Sequence, residues 1–252
     1  VTPLLVMDDY ALYFIGLIIA GGVAVVGLSY AYLQERARLP EEFYVLLLTA
    51  TLGAAVLAAS RHFATFFLGI ELLSVPMFAM IAYRMERWDA VEAGTKYLVL
   101  SGVSSAFLVF GMAMVYSRLG TMTFTTIAAD LAAQRHADPY AVAGIALILT
   151  GLAFKLSLVP FHMWVADVYQ GSPAPVTAYI ATVSKGGVFA LLLRLVMEGQ
   201  LYRHHAVVIM IAAIAIASMV IGNLLALLQD SVKRVLAYSS VAHMGYLRIP
   251  LA

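Results

Sequence analysis

Four ionisable residues lie within or at the edge of long apolar stretches of this 252-residue chain. They are Glu71, Lys96, Lys155 and Lys185. Lysine suits reversible proton transfer, because a buried lysine can lose its proton near neutral pH, whereas arginine stays protonated in proteins. A nearby carboxylate favours the charged lysine, so a change at the carboxylate could make the lysine hold or release its proton. These residue types therefore indicate a proton path.

The distribution of lysine supports this interpretation. The chain has only four lysines, of which the fourth is Lys233, whereas its arginines lie almost always in loops or at helix ends. A basic residue at the middle of a membrane helix costs about 2.5–3.5 kcal/mol on insertion scales. Lys185 lies near the middle of the stretch 174–198, from which a lysine reaches the membrane surface poorly. A functional role therefore explains Lys185 better than a structural one.

Glu71 is the only acid inside an otherwise uninterrupted apolar helix, predicted over 62–83. A buried carboxylate needs a basic partner if it is to ionise. We expect Lys96 to be that partner. The helix around Lys96 could begin near Trp88, which buries the lysine by two turns, or near Tyr97, which leaves it at the membrane surface.

Lys155 lies five residues before Pro160. If the helix breaks there, the partial negative charge of its C-terminal end stabilises the lysine cation. His162 lies in this break and His243 lies in the last apolar stretch. Both histidines are candidate proton relays, because imidazole changes its charge between about pH 5 and 8. A buried histidine with satisfied hydrogen bonds is an equally good interpretation of each.

The composition places these residues in a membrane. Hydrophobic residues make up 63% of the chain and charged residues 12%, against about 25% charged residues in soluble domains. Because backbone polar groups must be paired within lipid, the apolar stretches predict an all-α polytopic membrane protein with about eight transmembrane helices. These stretches are 11–33, 43–60, 62–83, 97–117, 139–166, 168–193, 206–229 and one that begins near Val235. The longest connection, 118–138, is predicted to be a surface loop.

One helix is predicted to be broken near 159–175. This segment contains three prolines and a Gly-Ser pair, and a proline in a helix interior removes a hydrogen bond. Non-helical backbone at membrane depth survives only where it is buried in protein or lines a wet cavity. A broken helix beside isolated charges is a recurrent arrangement in transporters.

Several kinds of site are excluded. The chain has no cysteine, its net charge is +1, and no His/Asp/Glu cluster has metal-ligand spacing. We therefore expect no metal, no cofactor in this chain and no nucleic acid as a partner. The chain begins with Val1 and stops inside an apolar stretch, so we expect residues 1–252 to be one membrane domain that is a fragment of a longer protein.

The motifs around the four candidate residues closely resemble the N subunit of bacterial NADH:quinone oxidoreductase, respiratory complex I. They are GIELLS around Glu71, TKYLVLSG around Lys96, FKLSLVPFH around Lys155 and ATVSKGG around Lys185. The resemblance covers nearly the whole chain in order. The stretch VYQGSPAPVTAYIATVSK favours this subunit over its L- and M-type relatives and over Mrp-type antiporters.

The resemblance implies an antiporter-like fold with two inverted five-helix repeats. Residues 43–198 would form the first repeat and 206–252 would begin the second, which would be truncated. It also implies roles for the residues. Glu71 matches the family's essential glutamate and Lys155 its central proton-carrying lysine. Lys185 matches the lysine that leads towards the second half-channel, and Lys96 a lysine paired with the glutamate.

The function implied by the resemblance is a proton-translocating subunit in the bacterial inner (cell) membrane, coupled to electron transfer in other subunits. Its partners would be other membrane subunits of complex I, including neighbouring antiporter-like subunits, and the lipid bilayer. NAD, flavin, iron–sulfur clusters and quinone are expected on partner subunits. The alternatives are a subunit of an Mrp-type Na⁺/H⁺ antiporter and a structural scaffold. Buried charges argue against the scaffold, because it gains nothing from their insertion cost.

Overall fold

A computed structural model describes residues 4–34, 40–133, 138–203 and 205–248. Within these ranges the chain forms eleven α-helices and no β-strand. The helices are α1 (Asp9–Gln34), α2 (Pro40–Ala59), α3 (Phe63–Ile81), α4 (Trp88–Leu119), α5 (Phe124–Ala133), α6 (Pro139–Lys155), α7 (Trp164–Gly171), α8 (Ala174–Tyr179), α9 (Lys185–Glu198), α10 (His205–Leu227) and α11 (Val232–Arg248). A π-helical turn, Ile180–Ser184, joins α8 to α9.

Six helices in the described ranges are long and apolar enough to cross a membrane. They are Asp9–Gln34, Pro40–Ala59, Phe63–Ile81, Trp88–Leu119, Ala174–Glu198 and Val207–Leu227. The apolar helix α6 and the last helix α11 have 17 residues each, fewer than the roughly 20 that a straight span needs. The all-helical class is confirmed, whereas a count of eight spans stays a prediction.

The predicted helix break lies between α6 and α7. Helix α6 ends at Lys155 and α7 begins at Trp164, so the break starts before Pro160. A second interruption inside the predicted segment, at residues 172–173, separates α7 from α8. The backbone of Ser157 has a positive φ of 58°. This left-handed residue lets Leu158 N donate to Ala153 O at 2.8 Å, which closes the helix end in the manner of a Schellman motif.

The prediction of a surface loop over 118–138 is wrong for its central part, where α5 forms a ten-residue helix. Phe124, Ile127 and Leu131 of α5 are all buried. Their spacing places them on one helix face, and the Phe124 ring lies 5.9 Å from that of Phe63. The segment is too short to span a membrane, so a search for long apolar stretches does not find it.

Glycines allow α4 and α6 to approach closely. A Cβ atom on Gly111 would lie 2.5 Å from the carbonyl oxygen of Gly144, and one on Gly144 would lie 2.7 Å from the carbonyl oxygen of Gly111. Membrane helices commonly use small residues in this way to bring their backbones together. The contact holds α6, which ends in Lys155, against α4.

A buried arginine ties α1 to α9. Arg194, with 3% of its side chain exposed, donates to both carboxylate oxygens of Asp8 at 2.8 and 2.9 Å. These bonds lower the pKa of Asp8 to about 2. Arg194 also donates to Glu198 at 2.9 Å and to the Ala58 carbonyl at 3.2 Å. The clamp therefore joins α1, the end of α2 and the helix that begins with Lys185.

Replacing Gly111 by alanine should loosen the contact between α4 and α6. The added methyl group meets backbone, so the helices must separate, and overpacking of this kind costs about 1–3 kcal/mol. Thermal unfolding of the purified protein in detergent should show a lower midpoint for Gly111→Ala. Gly102→Ala on the same helix is the control, because a Cβ atom there meets nothing within 4 Å. Equal unfolding midpoints for the two variants would contradict the packing described.

Candidate proton-transfer site

Lys155 is the centre of a buried polar site between three helices. Its side chain extends from the last residue of α6, and 5% of the residue is exposed. The ammonium donates to Ser74 Oγ on α3 at 2.7 Å and to Ser101 Oγ on α4 at 2.6 Å. A hydrogen bond to a charged group contributes about 1.5–3 kcal/mol. These two bonds therefore offset part of the cost of burying the charge.

Glu71 extends the same polar site along α3 and α4. It lies three residues before Ser74 on α3, and its carboxylate accepts a hydrogen bond from Ser105 Oγ at 2.6 Å. Ser105 in turn follows Ser101 by four residues on α4, so the two serines share a helix face. The Glu71 carboxylate interacts electrostatically with Lys155. Helix α3 thus contributes Glu71 and Ser74 to the polar site, and α4 contributes Ser101 and Ser105.

Lys96 is not the partner of Glu71, so that prediction is wrong. Its ammonium contacts Asp167 on α7 and Glu92 on its own helix, each at 2.7 Å. The prediction failed because of distance along the helix. Lys96 precedes Ser105, which contacts Glu71, by nine residues, or roughly 13 Å of helix rise.

The start of α4 and the exposure of Lys96 together show its surroundings. The helix begins at Trp88, which corresponds to the deeper of the two predicted starts. The Lys96 side chain is nevertheless 42% exposed in the described chain, and it lines an open groove of about 650 Å³ between α4 and α7. Asp167 also receives a hydrogen bond from Arg234 of α11 at 3.0 Å. Lys96 therefore belongs to an ionic cluster that joins α4, α7 and α11.

Lys185 occupies a second buried position, with 1% of the residue exposed. It directly follows the π-helical turn, an irregularity often found at functional sites. Its ammonium donates to Ser240 Oγ on α11 at 2.7 Å and lies 5.9 Å from the centre of the Tyr169 ring on α7. No ion pair to Lys185 is present among the described residues. The Lys185 ammonium is thus surrounded by one hydroxyl and one aromatic face. The Lys155 ammonium, in contrast, has two hydroxyls and a nearby carboxylate.

The two candidate histidines lie in different environments. His162 is 6% exposed, and neither of its ring nitrogens makes a hydrogen bond to the described residues. Its ring lies 6.4 Å from that of Tyr238 on α11. His243 is exposed in the described chain, and its Nδ1 lies 3.5 Å from Ser239 Oγ. Only His162 is therefore buried beside the helix break.

The helix break is held by polar contacts to its backbone. Val159 N donates to Ser218 Oγ on α10 at 3.0 Å, and Trp164 Nε1 donates to the Phe154 carbonyl at 3.1 Å. Because unpaired backbone groups are costly at membrane depth, these contacts stabilise the non-helical segment that follows Lys155.

The sequence interpretation missed the hydroxyl groups of the site. Ser74, Ser101, Ser105, Tyr169 and Ser240 make its contacts to lysine and glutamate or to one another. A helical-face analysis could have found the first three, because Ser74 lies three residues from Glu71 on one helix, and Ser101 and Ser105 lie four residues apart on the other. Tyr169 and Ser240 left no such pattern, since their partner Lys185 is on another helix.

The family described as "NADH:quinone oxidoreductase/Mrp antiporter, TM" matches residues 60–252. The chain belongs to this family. It is 52% identical over 247 residues to NADH-quinone oxidoreductase subunit N of Methylococcus capsulatus, an alignment that covers 98% of this chain and 50% of that protein. The resemblance drawn from the motifs is therefore confirmed. The chain spans about half the length of the curated relatives that it matches.

Solved structures of this antiporter-like type share the fold. A chain of respiratory complex I from Thermus thermophilus, solved with bound aureothin, superposes with a TM-score of 0.80 at 36% identity, covering 97% of this chain and 51% of that one. A chain of the Mrp complex from a Dietzia species superposes with a TM-score of 0.79 at 23% identity, covering 98% and 45%. The second likeness shows the fold alone.

Removing the two hydroxyls around Lys155 should destabilise the protein. We expect the double variant Ser74→Ala/Ser101→Ala to lose about 1–3 kcal/mol for each hydrogen bond that is removed, because the buried ammonium is left without acceptors. The measurement is thermal unfolding in detergent.

Ser117→Ala is the control for this experiment. Ser117 is an exposed residue of α4 that donates only to the carbonyl of Met114 on its own helix. An unfolding midpoint of the double variant equal to that of the control would show that the two serines do not support the ammonium.

Proposed function

We propose that this chain is the proton-translocating part of a membrane subunit of NADH:quinone oxidoreductase. The observation that carries the proposal is the pair of lysines, Lys155 and Lys185, buried among hydroxyl groups in a chain similar to subunit N. A buried lysine held by neutral groups can release its proton near neutral pH, which a buried arginine cannot do. Glu71 supplies the charge whose change alters that release.

The proposed mechanism begins with electron transfer in other subunits. That reaction alters the Glu71 carboxylate or its distance from Lys155, and so changes how strongly Lys155 holds its proton. The proton then passes through the helix break, where His162 is the buried titratable side chain, to Lys185. From Lys185 it continues towards His243 and the second half of the protein.

Lys96 takes a different role from the one implied by the resemblance. Its contacts with Glu92 and Asp167 in the groove between α4 and α7 support such a role. Along α4, Ser101 lies between Lys96 and Ser105. Because Ser101 contacts Lys155 and Ser105 contacts Glu71, Lys155 lies between Lys96 and Glu71 in the direction of this helix. In the proposed mechanism Lys96 therefore stays charged between Glu92 and Asp167 and acts on the proton path through its charge, whereas Lys155 and Lys185 exchange the proton.

The proposal also covers the setting of the subunit. The chain would lie in the bacterial inner membrane, contact neighbouring antiporter-like subunits and lipid, and rely on partner subunits for NAD, flavin, iron–sulfur clusters and quinone. Residues 43–198 would form one five-helix repeat and 206–252 the start of the second, of which 249–252 lie outside the described residues. Eight spans would follow if α6 with α7, and α11, cross the membrane together with the six long helices.

The alternative function is Na⁺/H⁺ exchange in an Mrp-type antiporter. It has the family and the fold in its favour, since a Dietzia Mrp chain superposes well. The identity to that chain is only 23%, against 52% to subunit N over 98% of the chain. Complex I is therefore the better supported setting.

Replacing Lys155 by alanine in the full-length subunit tests the proposal. Inverted membrane vesicles should show NADH-driven acidification and coupled NADH oxidation that both fall by about tenfold or more, because the central proton carrier is lost. NADH oxidation with ferricyanide, which bypasses the membrane part, reports whether the complex has assembled.

The matched control is Arg118→Gln, which removes a half-exposed cation that pairs with Asp138 at the helix surface. It should acidify vesicles as the unaltered complex does. Unchanged acidification in an assembled Lys155→Ala complex would contradict the proposal. Loss of Na⁺/H⁺ exchange, with NADH-driven acidification unchanged, would favour the antiporter.

A further inference from the structure

The contacts of Lys185 raise the question of where its proton goes next. Its ammonium donates only to Ser240 Oγ among the described residues, and no carboxylate contacts it there. Ser240 belongs to α11, whereas Lys185 begins α9. The first group that can receive the proton is therefore a hydroxyl on the helix that would open the second repeat.

Ser240 differs from other serines of the apolar helices in its bonding. Ser29, Ser74 and Ser218 each donate their hydroxyl hydrogen to the carbonyl four residues earlier at 2.7 Å. Ser240 makes no such bond. Its oxygen instead accepts hydrogen bonds from Lys185 at 2.7 Å and from the Tyr169 hydroxyl at 3.3 Å. With both acceptor positions filled, the hydroxyl hydrogen of Ser240 is the group left to donate onward.

The next titratable group on α11 is His243. It follows Ser240 by three residues, so the two side chains are neighbours on the helix surface, with Cβ atoms about 5–6 Å apart. A gap of this size suits one bridging water molecule. His243 itself is exposed, so the described residues leave its imidazole uncovered.

We infer that Ser240 relays the proton of Lys185 onto α11, with Tyr169 as a positioning residue. This inference rests on the proposed function. In the relay step an N–H bond of the Lys185 ammonium breaks and an O–H bond forms at Ser240. The original Ser240 hydrogen passes at the same time to the bridging water, which passes one of its own to the His243 imidazole. Lys185 becomes a neutral amine, His243 becomes an imidazolium, and the serine and the water are regenerated.

Tyr169 orients this relay without carrying the proton. Its ring face lies over the Lys185 ammonium and its hydroxyl contacts Ser240, so one side chain fixes both partners. The residue is almost fully buried, and its donated hydrogen bond keeps the Ser240 hydrogen directed away from the lysine.

The test compares Ser240→Thr with Ser240→Val in the full-length subunit of the assembled complex. Threonine and valine have nearly the same shape, so the pair differs in the hydroxyl group alone. NADH-driven acidification of inverted vesicles should stay near the unaltered rate in Ser240→Thr and fall by about tenfold in Ser240→Val. Ferricyanide-linked NADH oxidation again reports assembly.

A second variant and a control guard against a packing effect. Ser240→Ala adds no bulk, so it should reproduce the loss seen in Ser240→Val. Ser29→Ala removes a buried serine whose hydroxyl bonds only its own helix, and it should pump normally. Equal pumping by the threonine and valine variants, whether high or low, or normal pumping by Ser240→Ala, would overturn the relay.

Lys155→Ala, measured in the same vesicles, separates this inference from the proposed function. If Lys155→Ala abolishes pumping while Ser240→Val and Ser240→Ala pump normally, only the relay is wrong. If Lys155→Ala pumps normally as well, the proposed function fails with it.

Discussion

The burial of the Lys155 ammonium is the constraint on which the site depends. A charge at this depth survives only where neighbouring groups replace the water that it loses. Here two serine hydroxyls from α3 and α4 do so. The hydroxyls carry no charge of their own, so the site stabilises the cation without fixing it as a full ion pair would. That balance is what reversible proton transfer requires.

The architecture around Lys155 follows from this constraint. The helix that carries the lysine must end beside the site, and the left-handed Ser157 together with the contact from Val159 to Ser218 makes that ending possible. The same helix must lie close to α4 for its lysine to reach Ser101, and the facing glycines Gly111 and Gly144 allow that approach. The helix end, its support by Ser218 and the close approach of α4 and α6 together bring one side chain to the site.

The sequence predicted the burial of Lys155 and Lys185 and the helix break, because such features are rare and costly in apolar helices. Lys155, Lys185 and Glu71 stood out for that reason, and the break began within a few residues of Pro160. The partner of Lys96 could not be predicted in the same way, since it depends on how far along α4 each residue lies. The need of a buried carboxylate for a basic partner, together with the motif resemblance, paired it with Glu71.

The hydroxyl groups were missed for a physical reason. A serine in an apolar helix can bond its own backbone, as Ser29 does, so its presence costs little and its role depends on its neighbours. Ser240 acquires its contact only when α11 packs against α7 and so comes within reach of the Lys185 side chain, which local sequence does not reveal. The buried face of α5 was missed because ten residues are too few for a span.

In the proposed mechanism Lys155 exchanges its proton and does not serve as a fixed cation. Replacing it by arginine in the full-length subunit tests this directly, because arginine keeps the positive charge but stays protonated. We expect an assembled Lys155→Arg complex to acidify inverted vesicles as weakly as one that lacks the lysine altogether. NADH-driven acidification at the unaltered rate would show that a permanent charge suffices and that Lys155 does not exchange its proton.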